Sequence, residues 1–530
     1  MVETLERIAA SLLCATLFCV ITVKMLGAMQ QSGYKGGTFL RWLSQKENML
    51  FNRLCVLALC LALASAITAL CFSFLGLKTA LLISAVPFTA LLFLYLYADS
   101  KRALKVPLVK TGRVKRLFVC YFFFTLCLCY AYIAFLGFLS AWNGSLLYGL
   151  IAYVPFALLV PCLPFVLTFS GLVMGVFENA RNKKFVKRAG QVLDETKITR
   201  VAIVGSYGKT SVKNILSTLL LEKYKVIATP ESYNTPLGIA KTVTSAPFTQ
   251  SEIFIAEMGA RKTGDIRELC ELVKPDCAIF TGVCAQHIRS FGSEENVLLE
   301  KSEILSAAKL VVCGETLKEK LGAKENALFV GLSNVQDLEL LQTETRFTLR
   351  LGEEKIRVST RLLGKAAAEN IALAAALAHE YFKMSAEEIA RGIAKIEQIP
   401  HRLQLLESGG AYILDDGYNC NLVGAKTALE ALARFEKGKC VVTPGIVECG
   451  VLEEEINGEL GAAIAGSGAD KIILVGETLV GAVKTGYLQA GGASEKLCLV
   501  KDLEAAKVEL AGWLGAGDCV LFLNDLPDVI

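Results

Sequence analysis

Five apolar runs in the amino-terminal third constrain this chain more than any other feature. They cover residues 8–23, 54–75, 81–97, 117–138 and 146–167, each near the ~20 residues a helix needs to cross a hydrocarbon layer. The cations between them alternate. Lys35, Arg41, Lys46 and Arg53 follow the first run, and only Lys78 separates the second from the third. Lys101, Arg102, Lys105, Lys110, Arg113, Lys115 and Arg116 crowd the next linker, residues 140–145 hold none, and Arg181, Lys183, Lys184, Lys187 and Arg188 follow the fifth run. This rich, poor, rich, poor, rich order fits five spans with an external amino terminus and a cytoplasmic remainder. Lys24 and the lack of a clear small-x-small site favour an anchor over a cleaved signal peptide. Pro155, Pro161 and Pro164 crowd the fifth run, and a further apolar stretch, 166–177, follows it, so a kinked or re-entrant segment is expected there.

The charge distribution agrees with that placement. The chain totals +4, but residues 1–190 carry 19 Lys+Arg against 5 Asp+Glu and the rest 36 against 46, so +14 precedes −10. Such asymmetry marks a membrane or nucleic-acid contact in one part only, and hydropathy selects membrane. The basic residues at 101–116 therefore read as a topology signal beside anionic headgroups, not as a nucleic-acid site. Nine of the 18 cysteines lie in the apolar region and no CxxC pair exists, which supports neither a zinc site nor a disulfide framework. They read as small buried hydrophobes in a reducing compartment.

From about residue 197 the texture changes to short β-branched runs at 201–204, 253–256, 278–280 and 310–312, separated by amphipathic helical stretches. That alternation predicts an α/β domain with a mostly parallel sheet. The first strand runs into Gly205-Ser206-Tyr207-Gly208-Lys209-Thr210-Ser211, and a helical pattern follows through Ile215, Leu216, Leu219 and Leu220. Phosphate binding demands this order. Glycines let backbone N–H groups turn inward, the helix amino terminus adds positive potential, Lys209 reaches the terminal phosphates, and Thr210 can hold Mg²⁺. Ile203 stands where a longer phosphate loop has its first glycine. Further strands at 411–414, 440–443, 471–475 and 519–523 predict a second, smaller Rossmann-like sheet.

The compact loop resembles that of the Mur ligases, the ATP-dependent amide-forming enzymes of peptidoglycan assembly, and the likeness continues for about 330 residues in the style of the MurF branch. Thr229-Pro230-Glu231-Ser232-Tyr233-Asn234 is similar to a segment whose asparagine lies near the phosphates. Ile255-Ala256-Glu257-Met258-Gly259-Ala260 resembles a strand end whose glutamate holds Mg²⁺. Gln286-His287-Ile288-Arg289-Ser290-Phe291-Gly292-Ser293 resembles a segment with a histidine as another magnesium contact. Lys301-Ser302-Glu303-Ile304 matches K-x-E-I, which implies that Lys301 is carried as a carbamate. Asn370 corresponds to an adenine-contacting asparagine, His401-Arg402 to a hinge with its arginine, and Asp416, in Asp415-Asp416-Gly417-Tyr418-Asn419-Cys420-Asn421, to an aspartate beside the nucleotide. The resemblance thus implies catalytic Lys209, Lys301 and His287. It implies an ATP site of Gly205, Ser206, Gly208, Lys209, Thr210, Ser211, Asn234, Asn370, Arg402 and Asp416. Its Mg²⁺ site would be Thr210, Glu257, His287 and carbamylated Lys301. Without the resemblance, a lone histidine is usually structural, the aspartate pair reads as a turn, and Lys301 reads as an exposed helix lysine.

Three departures stand out. Ala366-Ala367 replaces the His-Asn before the adenine asparagine, Gly417 replaces a serine, and Leu521-Phe522-Leu523-Asn524-Asp525-Leu526-Pro527 replaces a K-G-S run. A larger one lies in front, where membrane spans stand in place of a UDP-sugar-binding domain. The expected organisation is a transmembrane helical domain at 1–190, a central ATP-binding domain at 196–400 and a carboxy-terminal domain at 401–530. The expected activity is a MurF-like ligase at the bacterial cell membrane, multi-pass, with its ligase domains in the cytoplasm. It would join an amino acid or dipeptide to a UDP-linked or lipid-linked cell-wall precursor at the expense of ATP, through an acyl phosphate. A membrane-associated poly-γ-glutamate synthase-like ligase is the nearest rival. An ATP-driven transporter or flippase is the competing class, against which the runs show no acidic pathway residue.

Overall fold

The computed structural model describes residues 2–44, 49–71, 77–100, 108–140, 157, 159–230, 233–245, 248–284, 291–418, 420–447 and 449–524. The chain divides into two compact units, one ending at Arg181 and the other running Asn182–Asp528.

The first unit is helical. Its helices are Val2–Ile21, Val23–Gln31, Gly36–Leu43, Met49–Cys71, Leu77–Ser100 and Gly112–Ser140, and a further one, Leu163–Glu195, begins in it. Among the described residues, four segments are long and apolar enough to cross a membrane: Thr4–Ile21, Phe51–Thr68, Gly112–Phe135 and Val160–Glu195. The third expected run, 81–97, lies within Leu77–Ser100. The fifth run, 146–167, is described only in part. Residues 141–156 and 158 lie outside the described set, and the long helix starts only at Leu163, after a short 3₁₀ turn at Val160–Cys162. Proline is best tolerated in the first turn of a helix, where its missing N–H has no partner to lose, although Pro87 sits inside Leu77–Ser100. Pro161 and Pro164 therefore mark the start, and the stretch 166–177 supplies the apolar body.

Phe18, Met25, Met29, Phe39, Leu54, Leu61 and Tyr121 form the core of this unit. The hydroxyls of Thr22 and Tyr121 share a hydrogen bond of 2.9 Å inside it. Lys24 Nζ lies 3.0 Å from Asp99 Oδ2, so a carboxylate within the unit meets the charge of this cation. Val56, Leu59, Leu63, Ile67, Val119 and Phe123 point outward. A surface of this kind belongs against an apolar medium or a partner.

The second unit is built on two six-stranded sheets. The first contains β1 (Thr199–Val204), β2 (Val226–Ala228), β3 (Ile253–Glu257), β4 (Cys277–Phe280), β5 (Leu310–Gly314) and β6 (Ala327–Val330), all parallel, in the order β2-β3-β1-β4-β5-β6. The strands read as continuous apolar runs because helices cover both faces. Lys209–Leu220 and Lys365–Glu380 pack on one face, and Asp265–Val273 on the other. A small antiparallel sheet of β7 (Val335–Leu340), β8 (Thr345–Leu351) and β9 (Glu354–Thr360) buries alternate residues against the first of these cores.

The second large sheet contains β10 (Gln404–Ser408), β11 (Ala411–Asp416), β12 (Lys439–Thr443), β13 (Lys471–Val475), β14 (Leu497–Val500) and β15 (Cys519–Leu523), in the order β10-β11-β15-β12-β13-β14. Only the edge pair β10-β11 is antiparallel. In the first sheet, register brings functional groups together. Ile203 pairs with Glu257, so the loop leaving β1 and the carboxylate ending β3 emerge at one edge. Ligands of open parallel sheets bind at the carboxyl ends of such strands.

Candidate active site

The turn after β1 requires its glycines. Gly205 has φ 153° and Gly208 φ 73°, and a Cβ on Gly205 would lie 1.9 Å from Thr281 Oγ1. A Cβ on Gly208 would lie 2.8 Å from Asn370 Oδ1, which places the predicted base-contacting asparagine directly over the loop. Ser206 N donates to Gly282 O at 2.8 Å, fixing the loop to the turn that follows β4. The helix Lys209–Leu220 starts from Gly208 with no side-chain cap, leaving its first amides directed at the cleft. Ser206 Oγ is buried near the Cys284 thiol, with no partner at ordinary hydrogen-bond geometry among the described residues. Buried hydroxyls are rarely left unbonded. Lys209 Nζ donates to Gly205 O at 2.8 Å and Ser206 O at 3.3 Å, and burial pushes its ammonium below the ordinary lysine range.

Glu257 is the centre of the charged floor. Its Oε2 accepts from Thr210 Oγ1 at 3.1 Å and faces Lys213 Nζ at 3.1 Å, while its Oε1 accepts from Asn234 Nδ2 at 3.3 Å. Asn234 rests on Gly259, where a Cβ would come within 2.7 Å of its Cγ. Lys301 is buried and donates to Gly205 O at 3.2 Å. Burial first, and the Lys209 charge second, push the Lys301 ammonium down to about 7. A lysine so placed holds a sizeable neutral fraction near neutrality, which is the form that attacks carbon dioxide to become a carbamate. Its neighbour Glu300 accepts from Gly264 N and Ile266 N, both at 2.7 Å, and so ties the helix carrying Lys301 to the loop beyond Glu257.

The second sheet supplies the facing wall. Leu403 N donates to Asp416 Oδ1 at 3.0 Å, and burial pushes the Asp416 carboxyl up to about 6 against the pull of that amide and of Arg402. Arg402 Nη1 donates to Tyr418 O at 2.7 Å and its guanidinium lies 4.8 Å from the centre of the Tyr418 ring. His401 and Leu403 both have positive φ, 59° and 47°, so the backbone on either side of Arg402 is strained.

Ser206, Gly208, Lys209, Thr210, Ser211, Asn234, Glu257, Lys301, Asn370, Arg402 and Asp416 line one cleft of about 680 Å³. Gly205 contributes its carbonyl behind them. His287 and Asn419 lie outside the described residues. The substituted pair Ala366 and Ala367 also lines the cleft. Lys213 escaped the sequence reading. Its signal is its place four residues beyond Lys209, which puts both ammonium groups on one helix face.

These residues fit a nucleotide and a hard cation. The unbonded Ser206 hydroxyl, the uncapped helix and the glycine cradle suit phosphate oxygens. Among the described residues no group of three His, Cys, Asp or Glu gathers. One carboxylate and one hydroxyl, with Lys301 beside them if it were carbamylated, would suit Mg²⁺, which keeps several waters and substrate oxygens in its shell.

Residues 203–378 match the Mur ligase middle domain and residues 401–524 the Mur ligase, glutamate ligase domain. The UDP-N-acetylmuramoyl-tripeptide–D-alanyl-D-alanine ligase of Bacillus subtilis (strain 168) is 30% identical over 290 residues, 52% of this chain and 62% of that protein. This chain therefore spans less than two thirds of that relative. The Escherichia coli (strain K12) ligase of the same name is 26% identical over 310 residues, 55% of this chain and 68% of that protein. MurF ligase from Thermotoga maritima, solved in complex with ADP, matches with a TM-score of 0.59 at 26% identity, over 65% of this chain and 80% of that one. MurF from Acinetobacter baumannii shares the fold, with a TM-score of 0.58 at 21% identity over 65% and 77% of the two chains.

Proposed function

The chain belongs to the Mur ligase family by both matched segments, and from that premise we propose that it is a MurF-like, ATP-dependent, ADP-forming ligase of peptidoglycan precursor synthesis. It forms an amide between a carboxylate of the cell-wall precursor and the amine of an amino acid or dipeptide, by way of an acyl phosphate. The proposed organisation is a transmembrane helical domain at 1–190 that anchors an ATP-binding domain at 196–400 and a carboxy-terminal domain at 401–530 in the cytoplasm at a bacterial membrane. The observation that supports the reading best is the single cleft shared by Lys209, Thr210, Glu257, Lys301, Asn370, Arg402 and Asp416. The four apolar segments and the outward apolar side chains support the membrane placement.

When bound, ATP and Mg²⁺ supply the phosphoryl group that turns a carboxylate oxygen into a leaving group, and the charge that offsets it. The chain's own residues do the placing. Lys209, which now meets the loop carbonyls, would hold the terminal phosphate oxygens, and the Ser206 hydroxyl would donate to a phosphate oxygen. Thr210, Glu257 and Lys301, once carbamylated, would hold the cation, with His287 as the further contact that the family resemblance implies. Asn370 and Asp416 orient the nucleotide from above the loop and from the facing sheet. Closure about His401-Arg402 keeps water from the activated carboxyl, which water would otherwise hydrolyse.

Detergent-solubilised full chain with ATP, Mg²⁺, D-alanyl-D-alanine and either UDP-linked or lipid-linked tripeptide precursor tests this by mass spectrometry. The expected product gains the amine less one water, with one phosphate released per bond. ATP turnover indifferent to every carboxylate and amine would overturn the ligase reading and favour mechanical use of ATP. A product formed from glutamate units would favour the poly-γ-glutamate type.

A further inference from the structure

Lys213 is among the most deeply buried charged groups of the described residues, its side chain 2% exposed, and so is its partner Glu257 at 3.1 Å. A buried ion pair is a poor stabilising device, because desolvating two charges offsets most of their attraction and apolar replacements are often as stable. Its presence at the floor of a cleft therefore asks for another reason. Glu257 lines the cleft and Lys213 does not. The lysine acts through the carboxylate.

The contacts divide the two carboxylate oxygens. Oε2 takes Lys213 and the Thr210 hydroxyl, while Oε1 takes the weaker Asn234 amide at 3.3 Å. Lys209, on the same helix face, turns instead to the loop carbonyls of Gly205 and Ser206. We propose that Lys213 is a positioning residue that clamps Oε2, so that Glu257 presents Oε1 to a divalent cation and leaves Lys209 to phosphate. The proposal rests on the nucleotide and Mg²⁺ site of the ligase reading. A carboxylate without the clamp would swing toward Lys209 and tie up the phosphate-binding cation.

Mn²⁺ binding to the ADP-loaded full chain, followed by electron paramagnetic resonance, tests this without any turnover. Lys213→Gln and Lys213→Met are expected to weaken Mn²⁺ about 10–100-fold, as loss of an outer partner of a metal ligand does. Metal-free ADP binding should stay within about twofold, while Lys213→Arg restores part of the Mn²⁺ affinity. Unchanged Mn²⁺ affinity would overturn the proposal. Equal loss of Mn²⁺ and metal-free ADP binding would also overturn it, as would failure of both variants to fold, since the pair would then be structural. The ligase reading fails separately, if the parent chain binds Mn²⁺ and ADP normally yet releases no acceptor-dependent phosphate.

Discussion

The two walls of the cleft are made differently. On the loop side, the charged groups of the floor hang from a strand end or from helices: Glu257 opposite Ile203, Lys209 and Lys213 on one helix face, and Lys301 beside the anchored Glu300. On the facing side, Arg402 sits between two residues with positive φ, His401 bonds Asp415 at an exposed position, and Asp416 is held by one backbone amide. Groups that meet developing charge gain from not moving, because fixed dipoles need no reorganisation during reaction. Groups that must close over a substrate gain from a backbone that stores strain. The contrast separates substitutions that damage chemistry from those that alter nucleotide binding and stability.

The largest effect is therefore expected at the loop. Lys209→Ala should lower acceptor-dependent phosphate release by about 10³-fold, the scale set by removing a placed cation from phosphoryl transfer. Lys301→Ala should cost about 10²-fold, and short carboxylic acids should restore part of that by standing in for the carbamate. Single-turnover assays of product and phosphate check both. A smaller loss at Lys209 than at Asp416 would reverse the comparison.

How far each wall can be read from sequence follows the range of its contacts. The loop from Gly205 to Ser211 is legible because its chemistry lies within seven consecutive residues. Strands β13 and β15 coincide with the expected 471–475 and 519–523, since continuous apolar runs between turn residues leave few alternatives. The sheet β7-β8-β9 escapes, because its outward positions carry Arg346, Arg350, Lys355 and Arg357 and its apolar content is only every second residue. Lys213 escapes for a different reason. A lysine in a helix reads as solvated, and only the pairing of β1 with β3 brings Glu257 to cover it. The positive φ of Leu403 has no signal in side-chain chemistry, since leucine is not among the residues enriched in the left-handed region.

Asp416→Asn should show the middle effect and with the opposite sign in stability. The carboxyl is raised from its ordinary value of 3.8 to about 6 by burial, so folding favours the protonated form. That contribution is fully present below the unfolded pKa and lost as pH rises through the folded one. At pH 8 the parent therefore carries a buried charge that the amide side chain would not, and the variant should melt a few degrees higher, for roughly 1–3 kcal/mol. The gain should vanish below about pH 4. The KM for ATP should rise meanwhile. Thermal melts from pH 4 to 8 beside kinetics check the pair, and a gain independent of pH would remove burial as its cause.

His401→Asn should have the smallest effect and is the sharpest probe of strain. Asparagine tolerates positive φ better than other non-glycine residues, so the backbone conformation at φ 59° is kept or eased. The lost contact is His401 Nδ1 to Asp415 Oδ2 at 2.8 Å, with the histidine side chain 60% exposed. Exposed pairs of this kind contribute about 0–1 kcal/mol. Melting temperature should thus move by no more than about a degree or two, and kcat by a few-fold at most. His401→Val keeps a similar exposure but forbids the conformation, because a β-branched residue at positive φ is a steric outlier. It should slow turnover well beyond the asparagine variant while leaving the loop-side Mn²⁺ site intact. Equal kinetics for the asparagine and valine variants would mean that the strained turn is incidental, and the facing wall would then be as fixed as the loop side.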